Sequence, residues 1–315
     1  MYLTEPIFFE PLFMERVWGG RRLETLFGKN LPGSSHIGEA WEIVDREEAQ
    51  SVVHNGTLKG KTLHELWTEY RAQVFGDNAS ATPRFPLLFK LLDAAERLSV
   101  QVHPPANIAP ELNGEPKTEM WFVVENYGDG DIFAGLKCGV TREDFERALH
   151  DGTVAEKIHR VPVQAGDTMF IPSGRIHAIG AGNVIVEVQQ NSDTTYRVFD
   201  WNRVGLDGRE RKLHIEESLR SIDFTDTEPA LQTQRGDLIV ECEYFRVERW
   251  HLTAPRESVP AGDFALFTCL SGTVECSGCT FKAGDFFLVP ATLENHQLIP
   301  QSGEANVLRT TIPRS

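Results

Sequence analysis

The 315-residue chain has few cysteines, a shortage of positive charge and no long apolar run, and each lack closes off a class of protein. Five cysteines, at positions 138, 242, 269, 276 and 279, make an odd count at irregular spacing, which is no disulfide framework. Lys and Arg number 31 against 46 Asp and Glu, a formal net charge of −15, so most of the exterior repels nucleic acid and acidic membrane surfaces. An anionic small molecule remains open to such a chain wherever Lys and Arg cluster locally. No stretch of about 18 apolar residues occurs, so no membrane-spanning helix is expected. The opening MYLTEPIFFEPLFMERVWGG has acids and prolines where a secretion signal needs basic residues and an unbroken apolar run. The expectation is a cytoplasmic protein in a reducing compartment.

Present in abundance is alternation with a period of two, broken by frequent Gly and Pro, the pattern of a mainly β chain. SVQVH, EMWFVVE, TMFIP, NVIVEVQQ, TYRVFDW, YFRVERWHL, DFALFTCL, GTVEC, DFFLVP and NVLRTTI read as strands. Helical spacing is confined to TLHELWTEYRAQVF after a capping Thr62, TREDFERALHDG with Thr141 and Asp144 as a capping box and Gly152 beyond, and HIEESLRSIDF. The polar stretch from Leu206 to Arg235 separates two β-rich parts, giving expected domains at 1–235 and 236–315. AGDTMFIPSG at 165–174 is echoed by AGDFFLVPAT at 283–292, so two related β-barrels are expected, one on each side. Cys276-Ser-Gly-Cys279 lacks a second CxxC and sits where Gly and Ser suit a hairpin turn, so it reads as a turn rather than a redox or metal motif.

In a strand, residues i and i+2 share a face. Ser99, Gln101 and His103 therefore point one way, Val100 and Val102 the other, and Pro104-Pro105 ends the strand directly after the histidine. The same count puts Lys117, Glu119 and Trp121 on one face. A carboxylate and an imidazole inside apolar strands are costly unless something satisfies them. His177 follows the tight turn Pro172-Ser-Gly174. Two imidazoles, one carboxylate and one amide oxygen form a candidate shell for one divalent ion, zinc first on ligand type, with iron, manganese and cobalt also suited. A single histidine of this kind is more often a satisfied core or surface residue than a ligand; the number converging here favours the metal. Glu187 and Arg197, in VIVEVQQNSDTTYRVFDWNR, lie on strands nearby, and Lys90 and Lys117 are oddly placed for surface lysines. Arg197 reads either as a surface cation near Asp200 or as a fixed charge for an oxyanion or phosphate.

The residues 166–177 fit G-x5-P-x-G-x2-H, the second motif of cupin barrels. FPLLFKLLDA, LSVQVHP, KTEMW, IPSGRIHAIGAG and VEVQQNSDTTYRVFDWNR, with WGG at 18–20 and IGEAWEI at 37–43, together resemble type I mannose-6-phosphate isomerases of the short bacterial form. The resemblance implies two cupin jelly-roll barrels with a few helices and a zinc-dependent aldose-ketose isomerase acting on a sugar phosphate. It implies metal ligands at Gln101, His103, Glu119 and His177, catalytic roles for Arg197 and Glu187, and substrate-lining positions at Lys90, Ser99 and Lys117. The net charge and the lack of a long apolar run leave no nucleic acid or membrane partner expected, and a monomer is expected because two barrels in one chain can cover each other's faces. Two departures stand out. His103-Pro-Pro-Ala replaces the family's usual VHPDD, and the carboxy-terminal part has Gly284, Asp285 and Pro290 but no His-x-His, with His296 one place late, so no metal is expected there.

The implied reaction moves a proton between C1 and C2 of an open-chain sugar through an enediol-type intermediate, with Glu187 as the first candidate base and a metal-bound hydroxide or a histidine as alternatives. Lys90 and Lys117 would hold phosphate or help open the ring. Two rivals differ in class. A cupin dioxygenase would use iron and a compact His-x-His pair, where this chain has Gln101 and His103. A sugar-phosphate sensor would keep the fold without needing Glu187 and Arg197.

Overall fold

The computed structural model of the chain describes residues 3–77, 79, 82–128, 130–301 and 303–313. Strands β1 (Leu12–Gly20), β2 (Ile37–Ile43), β3 (Leu87–Ala94), β4 (Val100–Val102), β5 (Glu119–Asn126), β6 (Asp131–Leu136), β7 (Ile158–Pro162), β8 (Thr168–Ile171), β9 (His177–Ile179), β10 (Asn183–Gln190) and β11 (Tyr196–Phe199) come first. After the helix Ile215–Ser221 follow β12 (Leu238–Glu241), β13 (Arg246–Leu252), β14 (Arg256–Glu257), β15 (Ala265–Ser271), β16 (Thr273–Cys276), β17 (Cys279–Lys282), β18 (Phe286–Val289), β19 (Gln297–Pro300) and β20 (Ala305–Thr311). The protein is thus mainly β, and every strand read from alternation is present. The chain forms two compact units, one of the residues up to Leu12, Trp41–Phe89 and Thr233 onward, the other of Phe13–Ala40 and Lys90–Gln232.

The second unit is built on sheets ordered β1-β2-β3-β10-β5-β8 and β11-β4-β9-β6-β7, an end of each of β1, β2 and β3 belonging to the first unit. Alternation decides what each sheet buries. Trp121, Val123, Ile171 and Ile185 of one sheet meet Ile132, Ala134 and Ile179 of the other in a shared core. Val100, Val102, Phe133, Ala178 and Val198 face the opposite way and pack with Phe145 of the helix Arg142–Asp151. That helix starts at the expected capping box of Thr141 and Asp144 and ends on Gly152 at φ 71°, a left-handed cap that glycine adopts without strain. Ser99, Gln101 and His103, out of phase with the two valines, are turned to the inner side.

In the first unit, sheets β12-β13-β20-β15-β18 and β14-β19-β16-β17 enclose Trp250, Phe267, Phe281 and Phe287, the last two stacked at 3.8 Å. The segment expected to be one helix after Thr62 forms two, Leu63–Thr68 and Arg71–Phe75. On an unbroken helix residues 67 and 75 would stand about 12 Å apart along the axis. The break at Tyr70 lets the Trp67 and Phe75 rings meet edge-on at 4.8 Å. Cys276 and Cys279 pair across a two-residue turn with Ser277 and Gly278 at φ 47° and 79°, and both thiols are free, in line with the turn reading. No helix among the described residues is long and apolar enough to cross a membrane.

The repeated decapeptide has the same local structure twice. Gly166 and Gly284 have φ 96° and 86°; Asp167 and Asp285 each accept, on a carboxylate oxygen, the amide three residues back at 2.8 Å. The strands that follow, β8 and β18, each close the end of a sheet.

Two glycines position the cavity described below. A Cβ on Gly19 would lie 2.4 Å from the Gly38 amide nitrogen, and one on Gly38 would lie 2.6 Å from both the Trp18 ring and the Arg16 Cβ. The WGG and IGEAWEI motifs interlock because β1 and β2 approach too closely for side chains at these points. Gly38→Ala should therefore cost about 1–3 kcal/mol through overpacking. A chemical-denaturation midpoint below the wild type would be the sign, and an unchanged midpoint would contradict the close approach.

Candidate metal centre and its cavity

Glu119 opens β5 and His177 opens β9, while His103 follows β4 by one residue. All three are buried, the histidines completely and Glu119 to 1% exposure. His103 Nε2 is 3.6 Å from Glu119 Oε2, and His177 Nε2 is 3.5 Å from Glu119 Oε1, with the two rings 4.7 Å apart between centroids. One ligand atom from each lies within 4.8 Å of the other two, and these are the only residues among those described that form such a group.

The backbone settles the tautomers. His103 Nδ1 is 2.8 Å from the Thr194 carbonyl and His177 Nδ1 is 2.8 Å from the Arg175 carbonyl, so each Nδ1 must carry the proton and donate. Each Nε2 is left with a lone pair. Both lone pairs confront a carboxylate, acceptor against acceptor, and neither nitrogen nor either Glu119 oxygen has a hydrogen-bond partner. Buried acceptors in this arrangement require a cation among them. Burial, with Lys117 next, pushes the His103 imidazole down to about 3 and burial lowers His177 too, so both rings are neutral, the form in which an imidazole can ligate a metal. Burial alone would raise the Glu119 pKa, but the Lys117 ammonium, whose Nζ is 3.3 Å away, draws it down and favours the ionised carboxyl. Two imidazoles and a carboxylate suit zinc, and the residues fit the ion.

Within the second unit opens a cavity of about 400 Å³ whose lining includes Ser99, Gln101, Lys90, Glu187, Arg197 and Lys117, the last 3.3 Å from Glu119 of the centre. The size suits a small ligand. Gln101 pairs across the sheet with His177 on one side and Arg197 on the other, so all three present side chains to one face. Glu187 pairs in register with Trp121 and accepts from its indole Nε1 at 3.0 Å, while Lys90 Nζ approaches Glu187 at 3.1 Å and Glu39 at 3.8 Å. Burial opposes the Lys90 charge, but Glu187 and Glu39 outweigh it and raise the ammonium; burial raises Glu187 against the pull of Lys90.

Arg197 is half-buried. Its Nη1 donates to the Lys212 carbonyl at 2.9 Å, and its buried Nε has no hydrogen-bond partner. Every residue singled out from sequence thus stands at the centre or on the cavity wall. Sequence reasoning missed Arg16, Glu39, Asp193 and Arg211, which also line it. Arg16 shares a face with Trp18 by the same count of two, a signal available but unused. Arg211 comes from the polar stretch read only as a boundary, where no periodicity marks it.

The family model of the phosphomannose isomerase type I catalytic domain matches residues 7–127. Mannose-6-phosphate isomerase ManA of Bacillus subtilis is 40% identical over 313 residues, covering 94% of this chain and 96% of that protein. The crystal structure of the Bacillus subtilis mannose 6-phosphate isomerase superposes with a TM-score of 0.87 at 32% identity, over 98% of this chain and 100% of that one. A mannose 6-phosphate isomerase bound with zinc and yttrium shares the fold, with a TM-score of 0.73 at 17% identity over 98% of this chain and 99% of that one.

Zinc returned to chelator-stripped protein at a hundredfold excess over its Kd should raise Tm by about 5–10 °C, since it relieves the confronted acceptors of the folded state only. His103→Ala and His177→Ala should lose that rise in a thermal-shift assay. An equal rise in both variants would place the ion elsewhere.

Proposed function

The chain belongs to the type I phosphomannose isomerase family, and from that premise we propose that it interconverts mannose 6-phosphate and fructose 6-phosphate with one divalent ion, zinc, as cofactor. One observation carries the reading: three buried, mutually confronted ligand atoms lie beside a cavity that also contains a buried carboxylate and a guanidinium with a free donor.

His103, Glu119 and His177, with Gln101 as fourth ligand, would hold the ion. When bound, it supplies Lewis acidity to the sugar's C1 and C2 oxygens. The chain's own groups do the rest. Glu187 takes the proton from one carbon and returns it to the other; burial raises its proton affinity toward the working pH, which is what a base needs. Trp121 and Lys90 fix the position of that carboxylate, the first through its indole N–H and the second by charge. Arg197, on the cavity wall, supplies the fixed positive charge that stabilises the oxygen becoming negative as the proton leaves. Ser99, Lys117 and Lys90 line the path of the substrate, Lys117 also balancing Glu119. Sidedness follows from the walls: a base on one strand and a cation on another act on the same sugar carbons from fixed directions.

Each unit is proposed to be a cupin jelly-roll barrel; the duplicated Gly-Asp turn and end strand support this. Catalysis is assigned to residues 1–235, and residues 236–315 to a degenerate cupin domain without metal. In that part Asn295 stands five residues after Pro290, as His177 does after Pro172, and His296 instead meets Glu257 at 3.1 Å and Ser258 at 3.3 Å. A cytoplasmic monomer completes the proposal.

In a coupled assay with mannose 6-phosphate, Arg197→Ala and Glu187→Gln should each lower kcat by about 10²–10⁴-fold while retaining zinc. Full turnover in either variant would remove its proposed role.

A further inference from the structure

We propose that His214 is a positioning residue for Arg197, holding the catalytic guanidinium's backbone in place through a lone pair on its ring. The inference rests on the role of Arg197 given above.

β11 stands at the end of its sheet, paired on one side with β4, so the other side of its backbone is an open edge. At Arg197 that edge is covered by one residue. The His214 amide donates to the Arg197 carbonyl at 2.8 Å, and the Arg197 amide donates to His214 Nδ1 at 3.2 Å. The result resembles one rung of an antiparallel ladder in which a ring nitrogen replaces a carbonyl. Two residues earlier, the Lys212 carbonyl takes Nη1 of the same arginine, and Arg211 forms a two-pronged ion pair with Asp200. Residues 211–214 thus grip Arg197 at backbone and side chain together.

The position of His214 makes this arrangement informative. It occupies the N-cap of the helix Ile215–Ser221, where a side-chain acceptor normally turns forward to the helix amides; this side chain makes no such bond. Its carbonyl starts the helix by accepting from Ser218 at 2.9 Å, and its ring turns back to β11. An acceptor at Nδ1 requires the neutral ring with its proton on Nε2. Protonated His214 would set N–H against N–H and release the Arg197 amide.

The groups facing the ring are Arg197, Lys212, Glu217 and the Tyr196 ring at 6.0 Å. Burial first, then Arg197, lowers the His214 pKa against the pull of Glu217. The sign follows: the ring stays neutral below the ordinary value of about 6.5, and the grip on Arg197 is lost only as pH falls through the lowered value.

The test uses the zinc-loaded enzyme and three variants, His214→Ala, His214→Asn and Arg197→Ala. Asn carries a neutral acceptor at the place of Nδ1. His214→Ala should lower kcat about tenfold, the scale of one lost hydrogen bond, with zinc content and KM little changed. His214→Asn should restore kcat and remove the part of the acid-side fall that occurs while zinc, measured at each pH, is still bound. Nitrogen-15 spectra of histidine-labelled wild type should show His214 protonated at Nε2. A proton on Nδ1, or a wild-type kcat in His214→Ala alongside an inactive Arg197→Ala, would overturn the inference and leave the isomerase reading intact. An active Arg197→Ala would instead remove the reading on which the inference stands. If His214→Ala does not fold, the acid limb of His214→Asn decides: an unchanged limb overturns the proposal.

Discussion

Two imidazole lone pairs aimed at one buried carboxylate constrain nearly everything around them. Like acceptors do not pack together in a protein interior without a positive charge between them. The Thr194 and Arg175 carbonyls prevent either ring from relieving the conflict by presenting N–H, since each already takes the Nδ1 proton. The conflict is therefore built in, and a metal cation resolves it. Lys117 helps at the edge, 3.3 Å from the carboxylate, but the ring nitrogens gain nothing from it.

The rest of the second unit serves that arrangement. Two sheets face each other over Trp121, Ile171, Ile179 and Ile185, and the polar residues of β4, β5, β9 and β10 come up on the same inner side because each strand alternates. Register then sets which neighbours meet: Gln101 between His177 and Arg197, Glu187 beside Trp121. Charges in the cavity are mostly committed. Lys90 is drawn to Glu187 and Glu39, Arg16 to Glu39, and Arg211 to Asp200. Against that background Arg197 is held by the Lys212 carbonyl, and the low-dielectric surroundings that strengthen its charge make its placement matter.

Much of this was legible in the chain. Counting by twos puts Ser99, Gln101, His103, Glu119 and Trp121 inward, because alternation is a local property of extended backbone. The caps at Thr62 and Thr141 and the Gly-Asp turns follow from local chemistry as well. What sequence could not supply were partners distant along the chain. Nothing near Lys90 indicates that Glu187, ninety-seven positions later by number, neutralises it. Arg211 and His214 lie in a polar stretch without periodicity, and their meaning comes only from the open edge of β11. The break between residues 68 and 71 was equally hidden, since it answers to ring packing between Trp67 and Phe75 rather than to any helix-breaking residue.

The most direct measurement is anomalous diffraction at the zinc edge from crystals of the zinc-loaded protein. The account predicts one strong peak in the second unit, about 2.0–2.2 Å from His103 Nε2, His177 Nε2 and a Glu119 oxygen. A fully loaded crystal with no peak among these three residues would contradict it.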